Sequence, residues 1–156
     1  MFQRVQTLYL LIVLAACILL FFFPMAQYIN ETQGIYKFFL TGVKYMIIPP
    51  VVVFFWWTFP LLIIIVCSFC LTLTAIILYR KRRTQVLLVN IVFLLHIIFV
   101  GLVFLLYVGL FEKHFNAPNS YQFGVFIPLI SIVFLILASR AIRKDNMLVR
   151  SADRLR

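Results

Sequence analysis

Four uncharged, mostly apolar stretches divide the chain, between Val5 and Glu31, Tyr45 and Tyr79, Thr84 and Phe111, and Phe115 and Ser139. Each can hold about 20 apolar residues, enough to cross a bilayer as a helix at 1.5 Å per residue. In hydrocarbon a backbone must satisfy its own hydrogen bonds, and the alternation of a membrane barrel is missing. The pattern therefore predicts an all-α membrane protein. Its four transmembrane helices are expected near Leu8–Ala26, Trp57–Tyr79, Val86–Leu110 and Phe123–Ser139, packed as a bundle in a single domain.

Between the first two runs lies a loop, Gln27–Trp56, with a different rhythm. Ile35-Tyr36-Lys37-Phe38-Phe39-Leu40 and Tyr45-Met46-Ile47-Ile48 flank Thr41-Gly42-Val43-Lys44. Aromatic and β-branched runs around a glycine-containing break suggest a small β-hairpin, and a segment lying in the membrane interface is the alternative. Pro49-Pro50 stops either one. Trp56, Trp57, Tyr28, Tyr36 and Tyr45 suit the headgroup level. The later loop, Glu112 to Gln122, reads as a turn around Asn116–Ser120.

Composition agrees with the pattern. Of 156 residues, 65% are hydrophobic and 12% charged, against about 25% charged in a soluble domain. That excludes a soluble enzyme, a disordered chain and a secreted disulfide scaffold. Leu14-Ala15-Ala16-Cys17 matches a bacterial lipobox, but Ile18–Phe23 continues the apolar run and only Arg4 precedes it, so an uncleaved helix is expected.

Charge gives orientation. Eleven of the fourteen Lys and Arg residues fall in Met1–Thr7, Arg80–Arg83 and Arg140–Arg156, which places these segments in the cytoplasm and Gln27–Trp56 outside. Arg80, Lys81, Arg82 and Arg83 set topology and attract anionic headgroups. In the tail, Leu148, Ala152 and Leu155 recur at i, i+4 and i+7, while Arg143, Lys144, Arg150 and Arg154 occupy other faces. This is the pattern of a basic amphipathic helix that lies on the membrane or docks on a partner, with a solvated topology signal as the alternative.

Inside the runs, each polar group is a candidate for function. Foremost is His96, a neutral imidazole able to ligate a haem, relay protons or bond a quinone, although packing with a bonded ring is the better reading. Cys67-Ser68-Phe69-Cys70 has redox-dithiol spacing, yet deep in a span its thiols would resist ionising, so two small residues in a helix seam are expected. Asn90, Thr72, Thr74, Ser131 and Ser139 suit bonds between helices. Gly101 and Gly109 would let two backbones approach closely, and Pro128 should kink the fourth run or close its first turn. Glu112, Lys113 and His114 lack the further donors a metal would need.

The opening Met1-Phe2-Gln3-Arg4-Val5-Gln6-Thr7-Leu8-Tyr9-Leu10, with the closing Arg140–Asp145 and Leu148–Arg156, resembles an uncharacterised family. Its members are small four-span inner-membrane proteins of Bacteroidetes, grouped as a domain of unknown function. The resemblance implies a bacterial inner-membrane location with both termini cytoplasmic, and it carries no activity or catalytic residue.

The expectation is thus a non-enzymatic accessory or assembly subunit of a larger membrane complex, with its basic tail as docking element and no cofactor. Its partners would be the bilayer with its anionic headgroups and a membrane-protein complex, with a ribosome or other phosphate-rich cytoplasmic surface left open and no sequence-specific nucleic acid. Alternatives from other classes are a redox or quinone- or lipid-binding protein using His96, and a small transporter lined by Asn90, His96, Thr72 and Thr74.

Overall fold

A computed structural model describes residues 3–30, 34–46, 51–53, 55–79 and 81–154, of which 3, 4, 51–53, 55 and 148–154 are described by backbone alone. Helix α1 (Gln3–Leu19) is followed by strands β1 (Ala26–Asn30), β2 (Gly34–Phe39), β3 (Gly42–Tyr45) and β4 (Val51–Val53). Then come α2 (Phe55–Ile77), α3 (Arg82–Leu102), α4 (Val108–Phe115), β5 (Asn119–Tyr121) and α5 (Phe126–Arg154).

The buried positions of the helices recur in alternating steps of three and four. In α2 they are Thr58, Leu61, Ile65, Ser68, Thr72 and Ala75; in α3, Gln85, Val89, Val92, His96 and Phe99. Helix α5 buries Ser131, Leu135, Ala138 and Ile142, and α1 has the same step at Gln6, Leu10, Val13 and Cys17, with Leu14 and Ala16 also buried and Leu20 just past its end. A mean step of 3.5 residues is the seam of slightly coiled helices packed side by side. Helix α1 packs on α5 and α2, and α3 packs on α2 and α5. Small seam residues such as Ser68, Ala75, Ser131 and Ala138 let the backbones draw close.

The all-α expectation is overturned by a five-stranded antiparallel sheet in the order β4-β3-β2-β1-β5. The segment read as a hairpin supplies β2 and β3, whose register pairs Phe39 with Gly42 and Tyr36 with Tyr45. They are the middle of a larger sheet. On one side β1 adds Ala26 opposite Phe38; β5, taken from what looked like a turn, adds Tyr121 opposite Ala26.

The expectation of four spans fails as well. Among the described residues, three helical stretches, Trp56–Ile77, Arg82–Phe115 and Phe123–Met147, are long and apolar enough to cross a membrane; the helix Val5–Leu19 is shorter. The apolar run at Leu8–Ala26 is longer than the helix it contains. After Leu19 the chain tightens, with Phe22 and Phe23 amides both on the Leu19 carbonyl. Pro24 has no amide to continue the ladder. Met25 then donates to Phe38 and enters the sheet. The last third of the run belongs to a turn and a strand.

The chain from Arg82 to Phe115 contains one wide π turn, Val103–Tyr107. From the start of that turn a buried stripe steps by four, at Val103, Tyr107, Phe111 and Phe115. A strict four-residue step drifts off the face of a 3.6-residue helix, and one wide turn absorbs that drift. These rings then meet the sheet. Phe38 lies 5.1 Å from Phe111, Tyr36 stacks on Phe115 at 4.3 Å and on Tyr45 at 4.7 Å. Tyr28 is fully buried and donates to the Val108 carbonyl at 3.3 Å. So Tyr28 and Tyr36 pack the sheet to the helices and Tyr45 stacks on Tyr36 within it, whereas Trp56 and Trp57 are exposed.

Candidate functional site

The sheet closes one end of the helices, and the basic residues gather at the other. Two polar links between α3 and α5 fix this end. Arg82 Nη1 pairs with the Asp145 carboxylate at 3.2 Å and donates to the Asp145 carbonyl at 3.1 Å. Deeper in, Ser139 Oγ donates to Asn90 Oδ1 at 3.2 Å. On α1, Gln6 Nε2 donates to the Ala141 carbonyl at 3.2 Å. The chain's first helix, the α2–α3 turn and the end of α5 therefore share one face of the molecule. Exposed there are Lys81, Arg83, Arg140, Arg143 and Lys144.

A cavity of about 390 Å³ opens at this end, lined by Gln6, Thr7, Leu8, Leu11, Tyr79, Gln85 and Asp145. Gln6 and Gln85 are nearly fully buried, which is unusual for glutamine. Their positions continue the helix seams, so the seam turns polar where it reaches the basic rim. Hydropathy alone reads both as helix-end residues, and the signal that could have found them is the three-four step itself.

Helix α5 runs without a break through Ser139 to Arg154. Arg143 and Lys144 project from it into solvent. The tail residues Leu148, Arg150, Ala152 and Arg154 are placed by backbone only, and their side-chain roles lie outside the described residues, as do Leu155 and Arg80 altogether.

His96 is fully buried in the α3 seam. Its Nδ1 lies 3.0 Å from the Val92 carbonyl. A carbonyl only accepts, so Nδ1 carries the proton and Nε2 is left as a bare acceptor. Among the described residues neither His96 Nε2 nor Ser68 Oγ has a hydrogen-bond partner. The other polar residues do not join His96 in a path. Thr72 and His96 are buried, while Thr74 and Asn90 face outward.

Three expected interhelical bonds are instead local. Thr72 Oγ1 donates to the Ser68 carbonyl at 2.7 Å, Thr74 to Cys70 at 2.7 Å and Ser131 to Ile127 at 3.0 Å. A hydroxyl four residues past a helix carbonyl has that acceptor already within reach. Cys67 and Cys70 are exposed on the outer side of α2, away from the seam expected for them, and Cys17 is the buried thiol; all three are free.

At the sheet end, Glu112 accepts from Asn119 Nδ2 at 2.9 Å across the αL residue Asn116. It ties α4 to β5. Among the described residues no group of three or more His, Cys, Asp or Glu could hold a metal ion. Gly101 and Gly109 have open space where a Cβ would sit; they are not the close approach expected of them. That role falls to Gly124, whose added Cβ would lie 2.5 Å from the Pro24 carbonyl oxygen and 2.8 Å from that of Phe23. Pro128 sits in the first turn of α5, where a missing amide costs nothing.

The chain belongs to the family described as a domain of unknown function (DUF4293), whose model matches residues 2–155. No curated protein matches it.

Proposed function

We propose that this protein is a non-enzymatic accessory subunit of a larger assembly in the inner membrane of a bacterium, the Bacteroidetes being the source its chain ends suggest. Its basic end faces the cytoplasm and its sheet faces outward. The observation that carries this reading is the length and character of α5. Twenty-nine helical residues extend about 44 Å, against a hydrocarbon core of about 30 Å. The uncharged apolar part ends at Ser139, and the helix goes on to Arg154, carrying Arg140, Arg143, Lys144, Arg150 and Arg154. A rigid basic helix held clear of the bilayer is a docking element, and the first turns of α1 lie at that same end.

Asp145 braces Arg82, so a deletion meant to remove only the docking element must begin after Met147. Full-length protein and a chain ending at Met147 are purified in mild detergent from native membranes and analysed by mass spectrometry. A membrane protein recovered stoichiometrically with the full chain and lost with the shortened one is expected. Equal recovery from both chains, or no stoichiometric partner, overturns the reading. Orientation has its own test. A single cysteine at Asn119, in a chain with Cys17, Cys67 and Cys70 replaced by Ala, should react with impermeant maleimide from outside the cell, and protection there reverses the assignment.

A further inference from the structure

The outer faces of α3 and α5 carry a second polar-over-apolar feature at the basic end. A cavity of about 210 Å³ lies in the groove between the helices, bordered by Arg140 and Arg143 above and Leu135 and Ile136 below. A shallower one, about 470 Å³, continues over α3 from Arg83 to Leu94. The two adjoin, since Asn90 and Phe93 line both.

Charge here is one-sided. Three guanidinium groups border the groove, and no carboxylate lines either cavity. The acid nearest in sequence, Asp145, is engaged by Arg82. Helix α3 begins beside Arg83 with no acidic residue in its first turn and no side-chain cap, so its positive dipole end adds to the field. The Arg82–Asp145 and Asn90–Ser139 links make the helices antiparallel and set their register. By that register Arg83, Arg143 and Arg140 fall within about 9 Å along the axis. One anionic group can meet all three.

Just below them the Asn90–Ser139 pair is exposed on the side that faces lipid. Polar pairs in a span normally face the protein interior. At this depth it matches the glycerol and ester region of a phospholipid. Beneath it Phe93 and Leu94 give an apolar floor, and Leu87, 57% exposed, adds apolar surface between Arg83 and Asn90.

We propose that this groove holds one anionic glycerophospholipid of the bilayer, its phosphate among Arg83, Arg140 and Arg143 and an acyl chain along α3. Basic pockets between transmembrane helices are suited to such headgroups. The inference rests on the basic end lying at a membrane surface and needs no protein partner, so a failed pull-down leaves it standing.

Full-length protein in detergent is titrated with dioleoyl phosphatidylglycerol or dioleoyl phosphatidylcholine, and bound lipid is counted by native mass spectrometry. The first phosphatidylglycerol should bind at least tenfold tighter than phosphatidylcholine. Replacing Arg83, Arg140 and Arg143 together by Gln should weaken it roughly a hundredfold, from the worth of three basic residues at a membrane surface. Replacing Lys37, Lys44 and Lys113 by Gln removes equal charge at the sheet end and should change it less than twofold. Leu87→Trp fills the groove without changing charge and should weaken both lipids. This variant keeps the proposal testable if the triple arginine variant does not fold.

Equal affinity for the two lipids, or equal loss in the arginine and lysine variants, overturns the proposal. So does competition by free glycerol phosphate at the concentrations at which the lipid binds. A protein that co-purifies stoichiometrically and is lost with the three arginines, without any lipid preference, assigns the groove to a protein partner and also refutes it. Ending the chain at Met147 should leave lipid binding unchanged.

Discussion

Gly124 separates the structure from a reading of glycines by spacing alone. It lies buried in the turn that enters α5, its amide donating to the Pro24 carbonyl at 2.9 Å. An added Cβ would stand 2.5 Å from that same oxygen. Both obstructing atoms are backbone carbonyls of 23 and 24, so no rotamer change relieves the contact, and the α1–β1 connection or the start of α5 must move. Overpacking of this kind costs about 1–3 kcal/mol. Lengthening the amide bond adds about 0.5–1.5 kcal/mol. Gly124→Ala should therefore cost about 2–4 kcal/mol, a fall in Tm of roughly 5–12 °C for a domain of this size. Gly101→Ala and Gly109→Ala meet open space in a helix and should be neutral or stabilising by up to about 1 kcal/mol. Thermal unfolding of the three variants in one detergent, followed by near-ultraviolet circular dichroism, reads the difference. A Tm for Gly124→Ala within 2 °C of the parent, or a larger loss at Gly101 or Gly109, would refute the packing described for this turn.

Burial pushes the Tyr28 hydroxyl above its ordinary pKa, and the negative charge of Glu112 and the nearby Tyr121 push it the same way. A folded-state value raised above the unfolded value of about 10 gives stability that is complete below that pH and lost as pH rises through the folded value. The Tm should fall between pH 9 and 11 more steeply for the parent than for Tyr28→Phe; parallel curves would count against a buried, neutral Tyr28. Cys67 and Cys70 lie on the outer side of α2, so the double change to Ala should alter stability by less than about 0.5 kcal/mol. Loss of function in a double variant that accumulates normally would restore a role for the pair.

What the sequence made legible follows from how far each signal reaches along the chain. Runs such as Trp57–Tyr79 announce helices because the cost of an unpaired backbone in hydrocarbon acts residue by residue. The break at Gly42 between aromatic runs marked paired strands for the same local reason. The pairing of β1 with β5 joins Gln27 to Ser120, and no local pattern announces a partner so distant. Hydropathy also misjudged α1, because Phe21, Phe22 and Phe23 are as apolar as the helix they follow, while the backbone is turned by Pro24 and captured by Phe38. At the basic end, charge located the rim at Arg82 and Arg83. It could not tell that Arg82 is engaged by Asp145 while Arg83 borders a groove with Arg140 and Arg143. Which face of a helix a charge occupies relative to its neighbours is a tertiary fact.

That distinction separates two roles for the same arginines. Orientation in a membrane depends on how many positive charges flank the apolar segments, not on the face they occupy. Were the basic rim only a topology signal, moving the charges of Arg140 and Arg143 a residue or two around α5 would change nothing. In the structure those positions are constrained from both sides. Asp145, two residues past Arg143, is committed to Arg82, and Ser139, one residue before Arg140, is bonded to Asn90. The two links brace α3 against α5 beside the arginines. A charge count sets which way the chain enters the bilayer. The bracing between α3 and α5 is what gives three of those charges a common focus.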